Sequence, residues 1–174
     1  MAQKNKVFDI VIAGGGMAGL GLAAMLKGSG LSVLVLEKSS LGHGRKPDGR
    51  TTALSYGTAQ VLKKACVWEK IQPLACPIKD IRVYDGSSTL LLNFLSAEAK
   101  DETLGWIVDN HDLLEVLLGY VSDDEKIVLA ECTSIRSFEA GTEDIRIELS
   151  DAACVQAKLL VGADGRASKT REML

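Results

Sequence analysis

The first forty residues alternate between two kinds of apolar pattern. Residues 7–13 form a short, nearly continuous run rich in Val and Ile, which predicts a parallel strand buried on both faces. Residues 17–27 carry Leu20, Ala23, Ala24 and Leu26 among good helix formers, and Gly28, Ser29 and Gly30 supply a stop. Residues 32–36 are again a strand-length apolar run, so 7–37 reads as a β-α-β unit. An exposed loop follows at 41–49, then a helix over 58–70 that places Val61, Leu62, Ala65 and Trp68 at core-packing spacing.

From residue 78 the period changes. Ile81, Val83 and Tyr84 lead through Asp85 and Gly86 to residues 90–94, a hairpin in a sheet separate from the first. Residues 106–108 predict a strand, and 112–121 a helix with Leu113, Leu114, Leu117 and Leu118 on its apolar side. Three strands are expected at 127–130, 134–138 and 145–149, the last two joined near Gly141, as a small antiparallel meander. A fresh buried strand at 157–161 should pair with the 7–13 strand. It runs into Gly162, Ala163, Asp164 and Gly165 and a short helix capped by Ser168.

Composition narrows the classes. The chain of 174 residues has a net charge of −3, with Lys and Arg scattered among Asp and Glu, so no basic stripe suits a nucleic acid. Cys66, Cys76, Cys132 and Cys154 form no Cys-x-x-Cys pair and have only His43 and His111 as imidazole company, which argues against a zinc site and for reduced thiols in a cytoplasmic protein. Lys4 and Lys6 before an apolar stretch resemble a signal peptide. Asp9 and the three glycines at 14–16 break that stretch into pieces too short to span a bilayer, so no transmembrane segment is expected.

Gly14-x-Gly16-x-x-Gly19 falls between the first strand and the first helix, where a dinucleotide fingerprint belongs. Gly14 permits the tight turn, Gly16 lets a pyrophosphate approach the backbone, and Gly19 lets helix and strand pack closely. The N–H groups of Met17 and Ala18 then face an anion at the positive end of the helix dipole. Glu37 ends the second strand eighteen residues after Gly19, placed to accept both hydroxyl hydrogens of an adenosine ribose. On this chemistry alone the dinucleotide is either NAD or FAD.

The wider pattern resembles the class A flavoprotein monooxygenases, and among them the ubiquinone-biosynthesis hydroxylases of the 2-octaprenyl-6-methoxyphenol hydroxylase type. The resemblance runs the length of the chain and rests on VIAGGGMAGLGLA at 11–23, LVLEK at 34–38, DGRTTALSYGTAQVL at 48–62, WIVDNHDLLEVLL at 106–118 and VGADGRASKTR at 161–171. The period changes along the chain predict an α/β fold, with a Rossmann-like FAD/NAD(P)-binding core and parallel sheet made of 1–75 and 157–174, a partial antiparallel sheet of the substrate domain over 76–110, and a helix and antiparallel meander attached to the core over 111–156. The resemblance agrees with that division. It implies FAD as cofactor, NAD(P)H as reductant, and dioxygen and a small phenolic substrate as reaction partners.

By the same resemblance, Glu37 and Lys38 close the second strand at the cofactor. Arg50 falls on a flavin-pyrophosphate arginine, with Thr51, Thr52 and Ala53 as the backbone that follows it. Asp164, Gly165, Ser168 and Arg171 look like a motif near both the FAD pyrophosphate and the nicotinamide. No flavin contact carries over at Trp106, where relatives can place a polar residue. No catalytic residue is assigned, because Ser55, Ser168, His43 and His111 lack triad spacing. The family's second flavin motif is not found before Leu174. The chain by itself is therefore expected to fold at least in part, to self-associate through exposed apolar surface, and not to turn over substrate. The full enzyme is expected to touch a membrane only at its periphery. A non-catalytic dinucleotide-binding fragment is the alternative from another class. An NAD-dependent dehydrogenase fits the first forty residues and leaves DGRTTALS and GADGRASKTR unexplained.

Overall fold

A computed structural model describes residues 6–41, 49–84, 86, 91–98 and 103–174. The sequence expectations for the 41–49 loop with His43, and for Asp85 at the hairpin turn, fall largely outside those residues. In chain order the elements are β1 (Lys6–Ala13), α1 (Met17–Leu26), β2 (Val33–Leu36), β3 (Thr51–Ser55), α2 (Tyr56–Lys64), α3 (Trp68–Ile71), β4 (Cys76–Ile78) and β5 (Asp80–Tyr84). They continue with β6 (Leu91–Leu95), β7 (Gly105–Asp109), α4 (Asn110–Ser122), β8 (Ile127–Ala130), β9 (Ile135–Ala140), β10 (Ile145–Leu149), β11 (Cys154–Gly162) and α5 (Lys169–Glu172). Contacts divide the chain into two units, Met1–Arg45 with Leu117–Leu174, and Lys46–Val116. Residues 46–75, grouped with the first strand in the sequence reading, thus cluster with the segment that follows them.

The first unit is built on a six-stranded sheet of order β8-β2-β1-β11-β10-β9. Its first four strands are mutually parallel, and β10 and β9 continue it antiparallel. Strand β1 lies between β2 and β11, so its neighbours on both sides are parallel. Alternation along the strands sends Val11, Ala13, Leu34 and Leu36 into one core with Ile135, Ile147, Leu149 and Val155. Ile12, Val33 and Val35, of opposite parity, are fully buried too. Both faces are therefore covered, which is why these segments read as continuous apolar runs. Helix α1 buries Gly19, Leu20, Ala23 and Ala24 and gives way to Gly28 and Gly30, both in the left-handed region at φ +73° and +81°.

Two expectations need correction here. Residues 127–130 do not join an antiparallel meander: β8 pairs parallel with β2, Val33 opposite Ile127 through Leu36 opposite Ala130. Helix α4 supplies the long crossover that a parallel pairing requires, and a four-residue apolar run carries no sign of its partner's direction. The strand expected at 157–161 is longer, Cys154–Gly162, because it is paired on both sides, with β1 from Lys6 opposite Val155 and with β10 from Glu148 opposite Cys154.

In the second unit β7 is the centre of a three-stranded antiparallel sheet, β3-β7-β4, and β5 and β6 form the expected hairpin as a separate two-stranded sheet. Gly105 is demanded by this arrangement, since a Cβ there would lie 2.4 Å from the Leu54 carbonyl oxygen. Trp106 is buried, edge-on to Trp68 at 4.8 Å and stacked with Tyr56 at 6.3 Å, so it serves the core. The helix expected over 58–70 is broken. Cys66 adopts φ +55°, and the Val67 N–H reaches back to the Leu62 carbonyl while the Cys66 N–H reaches Lys63, a left-handed helix stop that a cysteine fills in place of glycine. Among the described residues no helix is long and apolar enough to cross a membrane.

Asp9, which interrupts the first apolar run, ties three strands' worth of chain together. Its carboxylate accepts from the Lys158 ammonium at 2.8 Å and from the Ser32 N–H and hydroxyl at 2.9 and 2.8 Å. The Lys158 hydrogen bond, followed by those from Ser32, holds its pKa well below the usual carboxylate value of 3.8. A depressed carboxylate stabilises the fold above its unfolded pKa and loses that contribution as the pH falls through its folded value. Asp9→Asn should therefore be less stable than the unmodified chain at neutral pH, and the difference should shrink as the pH is lowered below about 4. Denaturant melts across that range measure it, and a gap that stayed constant with pH would remove the ionised staple.

Candidate functional site

The carboxyl ends of β1, β2 and β11 meet at one point. The Gly14 N–H donates to the Leu36 carbonyl at 2.8 Å, and the Ala163 N–H donates to the Ala13 carbonyl at 2.7 Å. Gly14 sits at φ +116°, a backbone that favours glycine, and a Cβ there would lie 2.3 Å from the Ala163 oxygen. A Cβ on Gly19 would lie 1.8 Å from the Gly14 oxygen, and one on Gly15 would lie 2.9 Å from both Glu37 Cβ and Leu41 Cδ2. These three positions are glycine because the fold itself leaves no room.

Gly16 differs. A Cβ built on it meets nothing within 4 Å, and its backbone, φ −82° and ψ −174°, is open to any residue. It is the N-cap of α1, brings no side-chain acceptor, and is followed by no acidic residue in the first turn. The start of α1 thus carries neither a side-chain cap from its N-cap residue nor a first-turn carboxylate, and the bare face of Gly16 lines a groove of about 370 Å³. Met17 and Ala18 form the first turn beside it.

The groove brings together Gly14, Gly16, Glu37, Lys38, Asp164 and Gly165, all singled out by the sequence. Glu37 is buried, and its carboxylate accepts from the Gly15 N–H at 2.9 Å and the Ser39 N–H at 3.0 Å. Each oxygen thus accepts from the backbone of the turn that it faces. The opposite wall, Thr133, Ser134 and Ile135, escaped the sequence reading. Its only link to the motif is spatial: the Thr133 N–H donates to the Glu37 carbonyl at 2.9 Å.

Asp164 has its carboxylate engaged within its own motif. The Ser168 hydroxyl donates to Oδ1, while the Thr170 N–H and hydroxyl each donate to Oδ2 at 3.0 Å. Burial opposes its ionisation, but the hydrogen bonds from Ser168 and then Thr170 outweigh it and hold the pKa below the usual range. Ser168 in turn caps α5 by accepting from the Arg171 N–H at 3.1 Å, as its spacing predicts. The Arg171 guanidinium donates to the Arg166 carbonyl at 3.0 Å, so the loop is knitted from within. Gly165, at φ +85°, provides the turn.

Arg50, Thr51, Thr52 and Ala53 belong to the second unit, where 51–53 open β3 and the exposed Arg50 precedes it. The Asn110 N–H donates to the Arg50 carbonyl at 3.0 Å, and the Thr52 hydroxyl donates to Asn110 Oδ1 at 2.5 Å.

The groove fits a dinucleotide with a pyrophosphate and a ribose. The bare Gly16 backbone at an uncapped helix start suits the phosphates, and a buried carboxylate at the end of β2 suits the sugar hydroxyls. Residues 7–174 match the FAD binding domain family. The chain is 32% identical to the ubiquinone hydroxylase UbiM of Neisseria meningitidis, over 95% of its own length and 38% of that protein's. It is 34% identical to the ubiquinone hydroxylase UbiL of Rhodospirillum rubrum, over 97% and 39%, and 30% identical to the 3-demethoxyubiquinol 3-hydroxylase of Escherichia coli, over 97% and 44%. It thus spans about two fifths of the length of these relatives. Among solved structures, p-nitrophenol 4-monooxygenase of Pseudomonas putida superposes with a TM-score of 0.82 at 21% identity, over 98% of this chain and 44% of that one. PqsL of Pseudomonas aeruginosa does so at 0.81 and 22%, over 96% and 45%; at such identities the likeness speaks for the fold.

The contrast among the glycines can be tested directly. Gly16→Ala should shift unfolding stability by no more than about 0.5 kcal/mol, as for a substitution into open space. It should weaken FAD binding at least about tenfold, which is 1.4 kcal/mol. Gly19→Ala should lower stability by about 3 kcal/mol or more, because its methyl would overlap the Gly14 carbonyl. Thermal melts paired with FAD titration separate the two, and unchanged FAD affinity in Gly16→Ala would empty the groove of its assigned ligand.

Proposed function

The chain belongs to the FAD binding domain family, and from that premise we propose that it is the cofactor-holding part of an NAD(P)H-dependent monooxygenase that hydroxylates a phenolic ring, with a ubiquinone precursor as substrate. The observation that carries the cofactor half is the bare Gly16 backbone at the uncapped start of α1, open to the groove that Glu37 closes. In this reading the pyrophosphate lies against the N–H groups of Met17 and Ala18, with the dipole of α1 behind it. Glu37 takes the adenosine ribose, Lys38 lines the same groove, and Gly165 with the Asp164 loop forms another part of its wall. Arg50 and the Thr51–Ala53 backbone are assigned to the cofactor on the family resemblance.

FAD held there would supply the redox chemistry that joins NAD(P)H oxidation to dioxygen. The protein's share is to hold the cofactor still and to shape the approach of the nicotinamide, through the loop that Asp164 organises and through Arg171. The ubiquinone precursor is supported by the printed activities of the relatives named above, each a ubiquinone or ubiquinol hydroxylase. The FAD family match gives no support to a simple NAD-dependent dehydrogenase. The reading includes a cytoplasmic enzyme that touches the membrane only at its periphery to reach a prenylated substrate, and that self-associates.

Glu37→Gln should weaken FAD binding by about 1 to 3 kcal/mol, the scale for removing a charged hydrogen-bond acceptor. For the whole enzyme, NAD(P)H oxidation in labelled dioxygen should place the label in the phenolic product. Reduction without label in any product, across a panel that includes ubiquinone precursors, would overturn the hydroxylase assignment.

A further inference from the structure

Two lysines line the groove, Lys38 and Lys169, and they stand at different places along it. Lys38 follows Glu37 at the end of β2, beside the carboxylate that suits a sugar. Lys169 belongs to the chain that leaves β11, and the sheet order β2-β1-β11 sets that chain on the other side of the turn that leaves β1. A ligand with its ribose at Glu37 and its phosphates at Gly16 runs across the sheet in that order, which brings its anionic part next to the loop that bears Lys169.

Both sequence neighbours of Lys169 are buried and pinned to one carboxylate. The Ser168 hydroxyl donates to Asp164 Oδ1, and the Thr170 N–H and hydroxyl donate to Oδ2 at 3.0 Å. Lys169 between them is exposed, and among the described residues its ammonium has neither a hydrogen bond nor an ion pair. The acids of the groove do not engage it, since Glu37 accepts from the Gly15 and Ser39 N–H groups and Asp164 from its own loop. With the backbone already fixed on both sides, binding an anion has only the side chain left to order. An ammonium on a flexible stem reaches a phosphate oxygen as a point charge and needs no fork geometry to do so. We propose that Lys169 is a phosphate-binding residue of this groove, its ammonium meeting the pyrophosphate of FAD from the β11 side. The inference rests on the reading of the groove as the FAD site. A lysine that merely kept a short helix solvated would be exposed in the same way, but its charge would then be interchangeable with any other on the surface.

FAD titration of the protein, followed by flavin fluorescence, distinguishes these. Lys169→Gln should raise the Kd about three- to tenfold at low salt, the scale of one exposed hydrogen bond to a charge, and the gap should narrow as salt is raised. Lys169→Glu should raise it further, and Lys169→Arg should leave it near the unmodified value, because the contact follows charge. Lys126→Gln removes the same charge at the opposite end of the sheet, just before β8, and should leave the Kd unchanged. Melting of the protein without FAD should differ little among these variants. An unchanged Kd in Lys169→Gln, a rise that ignores salt, or an equal rise in Lys126→Gln would overturn the inference while the unmodified protein still binds FAD. If the unmodified protein takes up no FAD, the reading of the groove falls first and this inference with it.

Discussion

Helix α1 begins so close to the end of β1 that a single methyl group cannot pass between them. The Gly14 carbonyl and the Cα of Gly19 share that space, and much else in the first unit follows from it. The close approach fixes the direction of α1, which sets its uncapped end over the carboxyl ends of β1, β2 and β11. The same turn brings the Gly15 N–H onto the Glu37 carboxylate, so the acid is held by the loop it faces. One steric constraint thereby couples packing of the sheet to the shape of the groove, and Gly16 is left as the position that packing does not need.

Charge in this unit is mostly spent on architecture. Asp9, Glu37 and Asp164 each have carboxylate oxygens committed to hydrogen bonds with the chain itself. For Asp9 and Asp164 the result is a carboxylate stable in its ionised form well below ordinary pH. Asp164 in particular holds the Ser168–Thr170 turn, so its influence on anything in the groove passes through the backbone it organises. A site built this way is stiff before a ligand arrives, which lowers the ordering that binding must impose.

What could be read from the sequence was what local rules govern. The strand-turn-helix with its glycines and the Ser168 cap depend on residues a few positions apart, and Glu37 on a fixed offset within one β-α-β unit. The direction of β8 did not, since Ile127–Ala130 offers four apolar residues and its parallel partner lies some ninety positions earlier in the chain. The break at Cys66 was hidden because a left-handed stop is announced by glycine or asparagine, and here a cysteine takes it. Thr133, Ser134 and Ile135 reach the groove because β8 lies beside β2, so that the chain leaving Ala130 runs past Glu37, whose carbonyl accepts from the Thr133 N–H. The role of Gly105 as a point of close strand contact, and of Trp106 as a partner of Trp68, likewise depends on which strands become neighbours.

Strand β11 occupies the middle of the six-stranded sheet, between β1 and β10. During synthesis β1 leaves the ribosome far ahead of it, with Lys6 waiting for Val155 and Ala13 for Gly162. Until then one whole edge of β1 has unmet backbone donors and acceptors, beside apolar side chains that have no cover. Loop closure over such a separation is slow compared with formation of the local β-α-β unit. The nascent chain must therefore pass through a stage in which the first half is shaped but unsealed, and this interval is where chaperones would act and where aggregation would compete with folding.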